Sequence, residues 1–354
     1  MSCLRRPLLL ALLLPALLCG CATAPGGKPA PKPTPTAVPA LARARATLPE
    51  FQRGVDIDAY TYPGQDIEAA ASADIAYVKS LHANSVAISF PFFMAAKSSD
   101  TVVAKDTTPT PAQLAVLVYD AQLAGLYITL RPLLDETNLG MSRSHWSPPD
   151  LADWFASYQR FLMPYVAMAQ REKAQKLIVG TELTTFQAAA GWTTLDEAVR
   201  RAYHGVLGCA NNWGTSAAAG DGSGKPYAGN CGPAVLQSVD AYQPIRGDLL
   251  AGWRSYDAGL PPGTVETEVG IAAVAGAYQR PYELQWPGVT SLDPGVQADW
   301  FAAACRAAGD GHLGGIYFWS LGFSANPAPG PTLTDQGQWA GGAGATAIAS
   351  CFGN

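Results

Sequence analysis

The sequence predicts a single (β/α)8 barrel, and three observations carry that reading. From residue 50 onward, apolar runs of strand character alternate with helical patterns in eight units. Such alternation implies parallel strand pairing through right-handed crossovers. The eight units occupy about 300 residues, which fits a closed barrel better than an open sheet. Finally, no Gly-x-Gly-x-x-Gly follows the first run, so an open dinucleotide-binding sheet would lack its phosphate loop.

Two segments precede the barrel. Residues 1–20 read as a signal peptide: Arg5 and Arg6 are basic, and Pro7 to Leu18 is an apolar run of twelve. A membrane-spanning helix needs about twenty. The run closes on Leu18-Cys19-Gly20-Cys21, which resembles a bacterial lipobox. That resemblance implies lipidation of Cys21, with Cys19 a departure at a position that prefers small residues. An ordinary secretory signal is the alternative, and both imply export. Ala22, where Asp would retain a lipoprotein at the inner membrane, points to the outer membrane in a cell that has one. Residues 21–48 are rich in Pro and Ala, cannot bury a core, and read as a tether. The barrel domain is then 49–354, and the expected location is the cell envelope, with the membrane reached through the lipid.

Charged residues make up 14% of the chain against about 25% in an average soluble protein, and 36 Gly and 28 Pro indicate many loops. A net charge of -5 argues against nucleic acid as a partner. Of seven Cys, Cys3 and Cys19 leave with the signal and Cys21 is the anchor. Cys209, Cys231, Cys305 and Cys351 remain. An even number in an oxidising compartment predicts two disulfides. Three connectivities are open, of which the nearest-neighbour pairs Cys209–Cys231 and Cys305–Cys351 are favoured. No Cys-x-x-Cys occurs and the four His are scattered, so neither metal nor cofactor is expected.

The elements follow in order. Gly54 to Ala59 is the first strand and Ile67 to His82 the first helix. Ser85 to Phe90 is the second strand, running on through Pro91 to Phe93. Thr110-Pro111, an N-cap followed by Pro at the first helical position, opens a helix that reaches Ala124. Leu126 to Arg131 is the third strand, reaching Asp135, and a loop covers Glu136 to Ser147. A long helix from Pro148-Pro149 to Glu172 has Trp154, Phe155, Tyr158 and Phe161 on its buried side. Lys176 to Leu183 is the fourth strand, Leu195 to His204 a helix, and Gly205 to Ala210 the fifth strand, ending in Asn211-Asn212-Trp213. Gly214 to Gly232 is Gly/Ser/Ala-rich and reads as a loop closed by the Cys209–Cys231 bridge. Ser238 to Tyr242 is the sixth strand, Arg246 to Ala258 a helix, and Gly263 to Gly270 the seventh strand. A helix from Pro294 to Ala308 precedes the eighth strand, Leu313 to Ser320. A weak helix spans Gly341 to Ala349.

In such a barrel the reactive residues stand where strands end. Those positions hold Asp58 and Tyr60, Arg131 and Asp135, Glu182, then Asn211, Asn212 and Trp213, Tyr242, Glu268 and Trp319. Two glutamates among Arg, Tyr, Asn and Trp suit a neutral polyol, because aromatic faces take sugar C–H bonds and polar groups take hydroxyls. Glu266 and Glu268 are two residues apart, so a regular strand points both to one side. Glu266 is then one layer deeper, paired with Arg131 or another cation, or exposed; the alternative makes it, rather than Glu268, the reacting carboxylate. An edge strand with a wet face is the plain reading of the pair. Plain readings stand beside the other residues too. Tyr242 and Trp319 as core aromatics, Arg131 as an ion-pair partner, and Asp58, Asp135 and Asn211 as turn caps are all open. His145 and Trp146 form either a distal sugar subsite or a loop anchor.

Four stretches, in order, carry a family resemblance: Ile178-Val-Gly-Thr-Glu-Leu-Thr184, Val239-Asp-Ala-Tyr-Gln-Pro244, Thr267-Glu-Val-Gly270 with Gly276, Ala277 and Pro281 behind it, and Gly315-Ile-Tyr-Phe-Trp319. The pattern resembles the clan of retaining glycosidases whose acid/base ends strand four and whose nucleophile ends strand seven. More narrowly it resembles glycoside hydrolase family 113, over about residues 50–325. The resemblance implies Glu182 as acid/base and Glu268 as nucleophile. The strand ends place Arg131, Asn211, Trp213, Tyr242 and Trp319 around the substrate, and a nucleophilic carboxylate wants donors such as Tyr242 or Arg131 beside it; the resemblance implies a β-linked polysaccharide or oligosaccharide, β-mannan above all, as that substrate. Thr181 stands where the clan commonly has Asn, which leaves the contact to the sugar 2-hydroxyl with a shorter side chain. The rival reading is a non-catalytic carbohydrate-binding or envelope-polysaccharide assembly lipoprotein on the same scaffold.

Overall fold

A computed structural model of the chain describes residues 46–213, 231, 232 and 235–353. The signal segment, Cys21, most of the tether and most of the Gly214–Gly232 loop lie outside the described residues. Eight strands form the ring: β1 (Gln52–Asp58), β2 (Ser85–Met94), β3 (Tyr127–Leu134), β4 (Lys176–Thr181), β5 (Val206–Asn212), β6 (Leu236–Asp240), β7 (Val265–Val269) and β8 (Gly315–Gly322). Each pairs in parallel with the next, and β8 returns to β1 with Gln52 opposite Gly315. The ring is therefore a closed eight-strand parallel barrel. One pairing was not anticipated: the two-residue strand Val102–Val103 runs antiparallel to the end of β2.

Every residue of β2, β3, β4 and β7 is buried. Parallel strands covered on both faces have this property, which is why they read as continuous apolar runs. The helices that cover them are α1 (Ile67–Ser80), α2 (Pro111–Leu123), α3 (Leu151–Arg171), α4 (Gly191–Arg200), α5 (Leu249–Asp257), α6 (Pro294–Asp310) and α7 (Ala343–Phe352). Their starts are set by side chains that satisfy the orphan amides of the first turn. Thr110 and Gln113 form a capping box on α2. Asp150 accepts from Ala152 and Asp153, which starts α3 three residues later than its two prolines suggest. Helix α4 departs most, starting at Gly191 rather than Leu195 and ending at Arg200 rather than His204. Packing decides this: Trp192 in its first turn is fully buried against Phe155 and Phe186.

Both expected disulfides are present. Cys209–Cys231 joins the middle of β5 to the far end of the Gly-rich loop, and Cys305–Cys351 joins α6 to α7. Closing 22 and 46 residues of chain constrains the unfolded state, worth on the order of 3–4 kcal/mol each in the chain-entropy account. Among the described residues no helix is long and apolar enough to cross a membrane.

Candidate active site

A cavity of about 390 Å³ opens at the C-terminal ends of the strands. Glu182, Trp213, Tyr242, Glu268 and Trp319 all line it, so five side chains from five different strand ends converge.

Glu182 follows the last residue of β4 with φ +53°. This left-handed conformation costs a non-glycine residue roughly 1–2 kcal/mol. Its amide is held by the Ala210 carbonyl of β5 at 2.9 Å, and the turn throws the carboxyl into the cavity. Asn212 donates to Glu182 Oε1 at 3.1 Å and Arg143 to Oε2 at 3.4 Å. Burial pushes the carboxyl up to about 7; Arg143 opposes this, and the charges of Glu268 and Glu136 add to it. A carboxyl in this range gives and takes protons near neutral pH.

Glu268 has the opposite surroundings. Arg131 donates to its Oε1 at 2.6 Å and Tyr242 to its Oε2 at 2.8 Å. One oxygen on a cation and one on a hydroxyl is the environment of a carboxylate. Arg131, fully buried, also donates to Asp56 at 2.7 Å and to both oxygens of Asp240 at 3.2 Å. Three carboxyls around one guanidinium cannot all ionise cheaply. Burial pushes Asp56 up to about 6 against the pull of Arg131. Burial and the Glu268 charge push Asp240 well above the usual range. Asp240 is thereby pushed toward its protonated form, which leaves more of the guanidinium charge to Glu268 and Asp56.

Two of the expected substrate contacts are corrected by this arrangement. Arg131 has no exposed side-chain surface and does not line the cavity; it stands instead beside Glu268, as the donor expected for that carboxylate. Asn211 is turned away from the cavity and bonded to Gln187, Gln237 and the Ser238 carbonyl. Its neighbour Asn212 takes the place beside Glu182, because alternate residues of a strand face opposite ways. Thr181 Oγ1 is buried with no hydrogen-bond partner among the described residues, so it does not reach the cavity.

Glu266 is the third correction. On β7, Glu266 pairs with Val239 but Glu268 pairs with Asp240, the next residue of β6. The extra residue, Thr267, makes a bulge, and a bulge reverses the alternation beyond it. Glu268 therefore faces the barrel interior, whereas Glu266 faces α5, with Asp257 as its neighbouring carboxyl. Neither carboxyl has a hydrogen-bond donor among the described residues, and burial, with the neighbouring Asp257, holds Glu266 well above its usual range.

The remaining expected residues are placed as follows. Trp319 stands over Arg131 at 5.8 Å, and Trp213 stacks on Tyr282 at 5.8 Å. Asp58 and Tyr60 line a separate cavity of about 270 Å³ on the same rim. Asp135 accepts from Tyr60 and caps the turn Glu136–Asn138. His145 lines the main cavity, whereas Trp146 is a buried loop anchor donating to the Lys97 carbonyl. Asp56, Asp240, Glu136 and Arg143 were not singled out from sequence. The alternation Val55-Asp56-Ile57-Asp58 was a usable signal for Asp56; nothing in the loop sequence marked Arg143. Among the described residues no group of three or more His, Cys, Asp or Glu could hold a metal ion.

The family described as Glycoside Hydrolase Family 113 matches residues 60–217, a span that includes Glu182 and stops before Glu268. No curated protein matches the chain. Among solved structures, a GH113 β-1,4-mannanase in a complex is similar at 17% identity and TM-score 0.70, covering 86% of this chain and 99% of its own. A GH113 β-mannanase from Alicyclobacillus acidocaldarius is similar at 22% identity and TM-score 0.69, covering 86% and 97%. An endo-1,4-β-mannanase from Rhizomucor miehei is similar at 10% identity and TM-score 0.51, covering 86% and 95%. At these identities the likeness is one of fold. The family match, set on a barrel of this kind, supports an O-glycosyl hydrolase.

Proposed function

We propose that the protein is a retaining glycoside hydrolase acting on a β-linked polysaccharide or oligosaccharide, with β-mannan the first substrate to test. The observation that carries this reading is the contrast across one cavity. Glu268 is held as a carboxylate by Arg131 and Tyr242, while Glu182 is poised near neutrality. In the first step Glu268 attacks the anomeric carbon, the glycosidic bond breaks, and Glu182 gives its proton to the departing oxygen. In the second, water attacks the same carbon and loses its proton to Glu182, and Glu268 leaves as a carboxylate. Trp319 and the Trp213–Tyr282 pair supply aromatic faces for sugar rings. The mannanase names of the GH113 structures motivate β-mannan.

The test is hydrolysis of a panel of β-glycans by the protein and by its Glu268→Gln variant, with the first-formed anomer read by proton NMR. Turnover of a β-glycan with retained configuration, lost in the variant, is expected, and kcat/KM should fall as pH rises through about 7, where Glu182 loses its proton. Binding without turnover across the panel would leave a carbohydrate-binding protein instead, and inversion would remove Glu268 as nucleophile.

The same reading includes export and a lipid on Cys21, with residues 1–20 removed and 21–48 as tether to the domain 49–354. Its support is the lipobox-like Leu18-Cys19-Gly20-Cys21. Fractionation tests it: Cys21→Ser should move the protein out of the membrane fraction, and an unchanged distribution would rule the anchor out.

A further inference from the structure

The loop between β3 and α3 carries a charge arrangement that the reaction scheme above leaves unused. Glu136 opens the turn after Asp135 and gathers the far end of the loop onto itself. Its Oε1 accepts from the Arg143 backbone amide at 2.8 Å and from Ser142 Oγ at 3.1 Å. The Arg143 guanidinium lies 3.3 Å from the same oxygen, near enough for an ion pair though not aligned as a hydrogen bond. From there Nη1 reaches Glu182 Oε2 at 3.4 Å. One guanidinium thus bridges two carboxyls, with exposure falling from 38% at Glu136 to 16% at Arg143 and 12% at Glu182.

We propose that Arg143, held by Glu136, is a positioning residue for Glu182: it fixes the direction of that carboxyl and is the standing positive charge that lets it accept a proton in the second half of the reaction. The proposal rests on the reading of Glu182 as acid/base.

The charges around Glu182 change during turnover. Glu182 faces Arg143 and Glu136 from the loop, Arg131 from β3, Asn212 from β5, Asp240 and Tyr242 from β6, and Glu268 from β7. In the free enzyme the Glu268 charge helps Glu182 keep its proton, as an acid needs. Once Glu268 is esterified to the sugar, that negative charge is gone while Arg143 remains, so Glu182 is tilted toward the carboxylate that a base needs. Glu136 sets the strength of the tilt. A lone arginine beside Glu182 would favour its ionised form in both steps, and the Glu136 carboxylate offsets part of that charge.

Three variants test this, with kcat/KM pH profiles, pre-steady-state release of aglycone from an aryl β-glycoside, and carboxyl NMR titration of Glu182. Arg143→Met should move the alkaline limb upward by about one pH unit and produce an initial aglycone burst as the second step slows. Glu136→Gln, at the exposed end of the bridge, should fold normally and move the limb downward. Arg143→Lys should hold the limb nearer to wild type than Arg143→Met does. Loss of activity in both Arg143→Met and Glu136→Gln with the limb unmoved would make the loop mere scaffold and overturn the proposal. Should the protein cleave no glycan, the functional reading fails separately. The NMR titration still decides here: opposite shifts of Glu182 in those two variants sustain the bridge, and none refutes it.

Discussion

Strand β7 puts two glutamates into the protein interior two residues apart, and their fates diverge completely. Glu268 faces inward, meets Arg131 and Tyr242, and borders a cavity. Glu266 faces outward under α5, meets another carboxyl, and borders nothing open. Both are nearly or wholly inaccessible to water, at 4% and 0%. Burial therefore does not distinguish a reactive carboxyl from a structural one. A cation and an open space do. A buried carboxylate without a positive partner keeps its proton, because desolvation penalises the charged form.

The largest expected effect breaks or sustains that contrast at its inner end. Glu268→Gln keeps size and polarity but removes the nucleophile, so turnover should fall by about four orders of magnitude or more. A steady-state assay on any cleaved glycan measures it. Retained turnover would mean the inner glutamate is not the reacting one. Next comes the cation. Arg131→Met leaves Asp56, Asp240 and Glu268 around no positive charge. Removing one partner of a buried ion pair costs about 3–5 kcal/mol, so the urea midpoint should drop steeply at neutral pH and less at pH 5, where more of those carboxyls hold protons. An equal drop at both would mean that Arg131 contributes packing rather than charge.

Much of this contrast was hidden in the sequence for physical reasons. The barrel was legible because parallel strands read as apolar runs and a helix such as α2 announces itself through its cap, Thr110 followed by Pro111. Glu182 and Glu268 were legible because both close such runs. What failed was parity. A bulge at Thr267 and the turn at Glu182 change which way the next side chain points, and neither is encoded by alternation of residue types. The same one-residue ambiguity exchanged Asn211 for Asn212. Charge partners failed differently. Arg131 meets Asp56 and Asp240 only after the barrel closes, across 75 and 109 residues of chain. Arg143 sits in a loop held by the bonds of Glu136 to Ser142 and to the Arg143 amide, so nothing periodic marks it.

Asp240 sharpens the comparison from the middle. It lies inside the barrel like Glu268, yet burial pushes it well above the usual carboxyl range, as it does Glu266. Asn at this position is neutral and nearly the same shape, and its carbonyl can still accept from Arg131 and from Thr267 Oγ1, which now donates at 2.8 Å. Asp240→Asn should therefore lower kcat/KM by less than about tenfold, or 1.4 kcal/mol. A loss approaching that of Glu268→Gln would show Asp240 to be ionised and Arg131 to be divided among three anions.

The smallest expected effect on catalysis is at the outer end. Glu266→Gln should leave kcat and KM unchanged, since the side chain touches α5 and not the cavity. Its signature lies in stability against pH. Glu266 and Asp257 both hold protons more tightly folded than unfolded, Asp257 to about 7. A raised carboxyl stabilises the fold fully below the ordinary carboxyl range, near pH 4, and that contribution is lost as pH rises through the folded value. Gln has no proton to lose, and its amide can donate to an ionised Asp257. The substitution should therefore be neutral or mildly destabilising at pH 5 and stabilising relative to wild type at pH 8, read as urea midpoints of the two proteins. An identical difference at both pH values would mean that folding does not raise the carboxyl pair. A collapse of activity in a folded Glu266→Gln protein would be graver, because it would place the reacting carboxylate on the wrong side of the bulge.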